Sequence, residues 1–94
     1  MTPKRKLPDN LVLIGKKKPV EYVGAILTQL VNGEKEIILK SRGFKECLTT
    51  LITVMKLHNN TKDIVPKLNL WWEPLELDEG KTVDVPFLEV FLRR

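Results

Sequence analysis

At 94 residues the chain is long enough for one hydrophobic core and too short for two domains. Hydrophobic residues at 43% and charged residues at 30% exclude a disordered or low-complexity chain, and no internal repeat is present. The net charge of +4 is modest but unevenly placed: residues 1–45 hold ten Lys or Arg against Asp9, Glu21, Glu34 and Glu36, whereas residues 46–94 hold six against eight carboxylates. A positive charge concentrated in the front half attracts phosphate chains better than the same charge spread evenly.

Residues 1–9 read as a flexible basic N-terminal arm, leaving residues 10–94 as a single domain. The opening MTPKRKLPDN lacks the apolar stretch of a signal peptide, and no later segment approaches a membrane span. The protein is therefore expected to stay inside its cell. Leu11 to Ile14 is a short buried strand closed by Gly15. A helix is predicted from Pro19 to Val31. Pro19 suits its first turn, Val20, Val23, Leu27, Leu30 and Val31 recur at helical spacing, and Asn32-Gly33 stops it. Lys35 to Lys40 is a second strand, apolar on both faces as an interior strand must be.

A second helix is predicted from Phe44 to His58, with Leu48, Leu51, Ile52 and Met55 as its core stripe. The lone Cys47 lies among Leu48, Leu51 and Ile52, can form no internal disulfide, and reads as a small buried hydrophobe. From Ile64 to Leu77 the pattern alternates, setting Leu68, Leu70 and Trp72 on one face and Asn69, Trp71 and Glu73 on the other. The adjacent tryptophans therefore point oppositely. Asp78 to Lys81 is a turn, and Val83 to Leu92 returns as the partner strand, with Pro86 at an edge or bulge. Its second face, Val85, Phe87 and Phe91, exceeds the needs of one small core and is available for a homodimer interface. These elements give an α+β fold in the order β-α-β-α-β-β. It is a two-layer sandwich in which two helices cover one face of a four-stranded mixed sheet.

The chemistry-bearing pattern is LVLIGKKKP at Leu11 to Pro19. Lys16, Lys17 and Lys18 occupy a strand-to-helix corner beside expected free helical N–H groups, where ammonium charge and the helix dipole both favour an anion. The two first strands and their connecting helix form a βαβ unit, so the strands run parallel and their carboxyl ends lie together. Lys40, Arg42 and Lys45 then emerge on the same edge as the lysine corner, the edge at which open sheets bind ligands. A solvated lysine loop is the plainer alternative for the corner taken alone.

VLIGKKKPVEYV and EIILKSRGF together resemble the Alba family of archaeal chromatin proteins. The family pattern of strand, glycine, paired lysines, proline, valine and a tyrosine-valine step is matched by Leu13, Ile14, Gly15, Lys16, Lys17, Pro19, Val20, Tyr22 and Val23. Lys18 is an extra lysine within it. The second signature is matched by Lys40, Ser41, Arg42 and Gly43. The resemblance implies a small dimer on double-stranded DNA or RNA, cytoplasmic and chromosome-associated, with Lys16, Lys17, Lys40 and Arg42 on phosphates and Tyr22 as a further contact. The usually basic position after the second glycine is Phe44 here, with Lys45 displaced by one. The family's terminal hairpin commonly carries arginine and glycine, but here Glu73, Glu76, Asp78, Glu79 and Asp84 outnumber Lys81, and carboxylates repel phosphate.

Three function classes follow. The first is sequence-tolerant nucleic-acid binding by a dimer, in chromatin packaging or RNA stabilisation, with no cofactor, metal, membrane or small-molecule substrate. The second is protein interaction, in which the acidic hairpin and a tryptophan dock another protein, such as a more basic paralogue in a heterodimer. An enzyme is the weakest class. The single His58 has no metal-ligand spacing and reads as a helix cap, while Glu76, Asp78 and Glu79 lack the order of a calcium loop.

Overall fold

The computed structural model describes residues 10–93; the basic arm expected over residues 1–9 lies outside them. The elements are β1 (Leu11–Leu13), α1 (Pro19–Val31), β2 (Glu36–Arg42), α2 (Phe44–Asn60), β3 (Val65–Glu76), a 3-10 turn (Asp78–Gly80) and β4 (Thr82–Arg93). The strands form one mixed sheet in the order β1-β2-β4-β3, with β1 parallel to β2 and the other neighbours antiparallel. Both helices contribute to the core on one face of that sheet, so the expected α+β two-layer sandwich is the fold observed. No helix among the described residues is long and apolar enough to cross a membrane.

Local chemistry explains where α1 starts and stops. Lys18 is held extended (φ −75°, ψ 151°), the conformation favoured before proline, and Pro19 opens the helix. At the other end Gly33 adopts φ 98°, which a β-carbon disfavours. Its amide donates to the Leu30 carbonyl and that of Glu34 to Gln29, a Schellman closure. Gly43 plays the matching part before α2. It sits at φ 102°, its amide donates to the Pro86 carbonyl at 2.8 Å, and an added Cβ would lie 2.6 Å from the Glu46 carboxylate.

The strands alternate between a helix-covered face and an open one. Ile37, Leu39 and Ser41 of β2 and Pro86, Leu88, Val90 and Leu92 of β4 are buried under the helices. On the open face lie Ile38, Lys40, Arg42, Phe87, Glu89 and Phe91. Ile26, Ile37, Leu39, Leu57, Val90 and Leu92 form the dry centre, and each fully buried side chain contributes about 2 kcal/mol relative to exposure.

α1 keeps Val23, Leu27 and Leu30 of its expected stripe against the core, whereas α2 is rolled relative to the sequence-based expectation. In α1 the buried positions are Tyr22, Val23, Ile26 and Leu30, while Val20 and Val31 face out at 63% and 85% exposure. In α2 the buried residues are Cys47, Thr50, Thr53 and Leu57, and Val54 packs beside them. The predicted stripe faces out: Leu48, Leu51 and Met55 are exposed, with Ile52 half-buried. Threonine chemistry permits this. The hydroxyls of Thr50 and Thr53 donate to the carbonyls of Glu46 and Thr49, so the side chains enter the core without an unmet hydrogen bond.

β3 and β4 pair from Val65↔Arg93 to Glu76↔Thr82, but β2 accompanies β4 only as far as Arg42↔Phe87. The rest of the hairpin projects as a two-stranded arm. Pro86 lies on an interior strand rather than an edge, at the point where β2 has ended. Its carbonyl faces Gly43, so its missing N–H faces the same side, where no ladder partner exists to lose. The second face of β4 is also less open than expected, because Val85, Phe87 and Phe91 are all half-buried.

Candidate functional site

The carboxyl ends of β1 and β2 lie side by side. Leu13 pairs with Lys40, and the Ile14 amide donates to the Lys40 carbonyl at 2.9 Å. Gly15 to Lys18 therefore leaves the sheet beside Ser41 and Arg42. Lys16, Lys17, Lys18, Lys40, Arg42 and Lys45 are all exposed, and among the described residues none has a carboxylate within ion-pair distance. An ion pair of Arg93 with Glu36, at 3.7 Å, lies at the other end of β2.

A buried tyrosine shapes the lysine corner. Tyr22 is only 6% exposed. Its hydroxyl accepts from the Gly15 amide at 2.7 Å and from the Lys17 amide at 3.3 Å, tying the loop onto the first turn of α1. The Glu21 carboxylate accepts from the Lys18 amide at 2.9 Å, and the Glu21 amide donates to the Lys18 carbonyl. The loop amides of Gly15, Lys17 and Lys18 and the helical amide of Glu21 are thus used within the chain. Ammonium groups, rather than a backbone anion nest, are what the corner offers outward, and the Glu21 carboxylate offsets one of them.

β2 runs two residues beyond its expected end, to Arg42. Arg42 consequently shares the open face of the sheet with Lys40 instead of lying in a loop. The cationic surface turns from the Lys16–Lys18 rim onto that face, while Lys45 stands on the first turn of α2. Across three strands Arg42 pairs with Phe87 and Phe87 with Trp71. The guanidinium lies 5.6 Å from the Phe87 ring centre, and Trp71 stacks on the same ring at 5.5 Å and 16°. Alternation along β3 puts Trp71 and Trp72 on opposite faces, but its contact with Phe87 depends on a strand register invisible in the chain order.

Trp72 lies on the helix-side face with Leu68 and Leu70, all exposed, and its ring meets Phe44 of α2 at 5.6 Å. Ser41 and Cys47 fill the space beneath the rim, donating to the carbonyls of Leu88 and Pro86. Burial pushes the Cys47 thiol above its usual range, opposed by the Ser41 contact and reinforced by the Glu46 charge. His58 is exposed and is not the cap expected; Asn60 and Thr61 serve the last carbonyls of α2. Among the described residues no three His, Cys, Asp or Glu side chains are grouped to hold a metal ion.

No protein-family model matches the chain. Two curated archaeal proteins, each named DNA/RNA-binding protein Alba, are similar over nearly their full lengths. The one from Methanocella arvoryzae is 29% identical over 87 residues, covering 92% of this chain and 91% of its own. The one from Methanococcus maripaludis is 31% identical over 91 residues, covering 89% and 97%. Among solved structures, Alba from Thermoplasma volcanium superposes with a TM-score of 0.77 at 28% identity, covering 89% of this chain and 99% of that one. ALBA1 from Trypanosoma brucei, at 19% identity and a TM-score of 0.67, covers 95% and 72% and shares the fold.

Proposed function

Since the chain belongs to the Alba family, we propose that it binds double-stranded DNA or RNA through the phosphate backbone, without reading sequence. The single observation that carries this reading is the adjacency of two cationic stretches on one end of the sheet, none of whose side chains has a carboxylate within ion-pair distance among the described residues. Lys16 and Lys17 at the corner and Arg42 on the neighbouring strand are the principal phosphate contacts, with Lys18, Lys40 and Lys45 flanking them. Tyr22 is a positioning residue rather than a contact, because its hydroxyl is occupied inside the loop. Such a site displaces counterions and serves chromatin packaging or RNA stabilisation alike. Competition between the two duplexes at matched salt distinguishes these uses.

We also propose that the binding unit is a homodimer. Phe44, Leu48, Leu51 and Met55 form one exposed stripe along α2, beside exposed Leu68, Leu70 and Trp72 of β3. This much apolar surface on one side is what a partner subunit covers. The acidic hairpin supports a second reading, a heterodimer with a more basic paralogue, and the mass of the assembly from its native cell separates the two.

The Lys16→Ala/Lys17→Ala double variant tests the site. Affinity is expected to fall by a similar factor on duplexes of unrelated sequence, because phosphate contacts carry no base information. Unchanged affinity would overturn the assignment.

A further inference from the structure

The open face of the sheet carries a second kind of recognition surface beside the cationic rim. Its first row across β3, β4 and β2 is Trp71, Phe87 and Arg42; its second is Asn69, Glu89 and Lys40, extended onto β1 by Leu13. Leu13, Lys40, Arg42, Trp71, Phe87 and Glu89 line a shallow cleft of about 360 Å³ there, within the size range of small-ligand sites. The aromatic pair is held in place. Trp71 is stacked on Phe87, Arg42 packs against the same ring, and the Trp71 Nε1–H donates to Glu73 at 3.2 Å.

We propose that this cleft binds an unpaired nucleotide of single-stranded nucleic acid, its base stacked against the Trp71–Phe87 pair and its phosphates beside Arg42 and Lys40. The inference rests on the nucleic-acid reading above and adds a ligand class to it. A base inside a duplex keeps its faces buried in the helical stack. Only a splayed base at a loop, bulge or end can lie on an aromatic side chain of an open sheet. Aromatic faces with cations close by are the components of single-strand sites, where each stacked base contributes strongly and every base has a π-face. The lysine corner leaves the sheet beside Arg42, so a strand can pass from the rim onto this face, where the carboxylates near its path are Glu89 and Glu73, the latter occupied by the Trp71 Nε1–H.

Glu89 has a definite part in the same cleft. It sits between Lys40 and Asn69 in the second row. A carboxylate there repels phosphate but accepts from an exocyclic amino group, as acidic side chains do from cytosine. Bases bearing an amino group are therefore favoured over uracil or thymine.

The test is a set of binding titrations at one salt concentration, using an unstructured adenine or cytosine 12-mer, a uracil 12-mer and a DNA duplex. Wild-type protein is expected to bind the amino-bearing strands more tightly than the uracil strand. Trp71→Leu should lose about tenfold on the single strands and stay within about twofold of wild type on duplex. Trp71→Phe keeps a π-face and should retain most single-strand affinity, which guards against a folding defect in the leucine variant. Equal losses on single strands and duplex, or no loss on either, would overturn the inference. So would wild-type protein that binds duplex but no single strand, with the duplex reading left standing. Binding to neither form would overturn the duplex reading itself.

Discussion

Tyr22 shows how one hydroxyl can set the geometry of a site it never reaches. Its oxygen receives two loop amides, so removing it leaves two polar groups of a part-buried loop without that acceptor. Tyr22→Phe is expected to lower stability by about 1–2 kcal/mol in denaturant titration. Duplex affinity should fall several-fold with an unchanged salt slope, because all the lysines remain and only their placement is lost. Unchanged affinity with reduced stability would mean that the corner orders itself without the tyrosine. Tyr22 lies between Val20 and Val23 in a helix whose two terminal valines face out, so its burial follows from the loop it closes rather than from apolar spacing.

At the scale of the element, α2 carries two stripes, and the sequence identifies the wrong one as internal. Leu48, Leu51, Ile52 and Met55 recur at helical spacing and read as a core face. The core instead takes Cys47, Thr50, Thr53 and Leu57, because threonines bonded to their own helix carbonyls bury at little cost. If the outward stripe is a subunit interface, Leu51→Glu places a charge within it. Sedimentation should then change from twice the 10.9 kDa chain mass to the single chain, with the fold kept, since Leu51 is already 41% exposed. A wild-type protein that sediments as the single chain would remove the interface.

The boundaries of α1 were legible because Pro19 and Asn32-Gly33 act locally, and the order of strands and helices followed from period and turn chemistry. Contacts that depend on register were not legible. Phe87 becomes the partner of both Trp71 and Arg42 only through the register of β2, β4 and β3, whereas Lys40 and Arg42 share a face because β2 continues to Arg42. The meeting of the two cationic stretches needed only a parallel βαβ unit, which the chain order supplies.

On the scale of the whole molecule, charge divides along the fold. The basic front half forms the rim, and the acidic residues of the rear half crowd the projecting hairpin, where Glu73, Glu76, Asp78, Glu79 and Asp84 surround Lys81. Such an arm is repelled by a phosphate track, so under the proposed function a duplex would be engaged by the body, through Lys16, Lys17 and Arg42 of each subunit of the proposed homodimer. That arrangement would neutralise about six phosphates per dimer. The most direct measurement of this arrangement is the salt dependence of affinity for a DNA duplex, taken across a tenfold range of monovalent salt. The slope of log affinity against log salt is expected near −5; a slope near zero would contradict binding through the cationic rim.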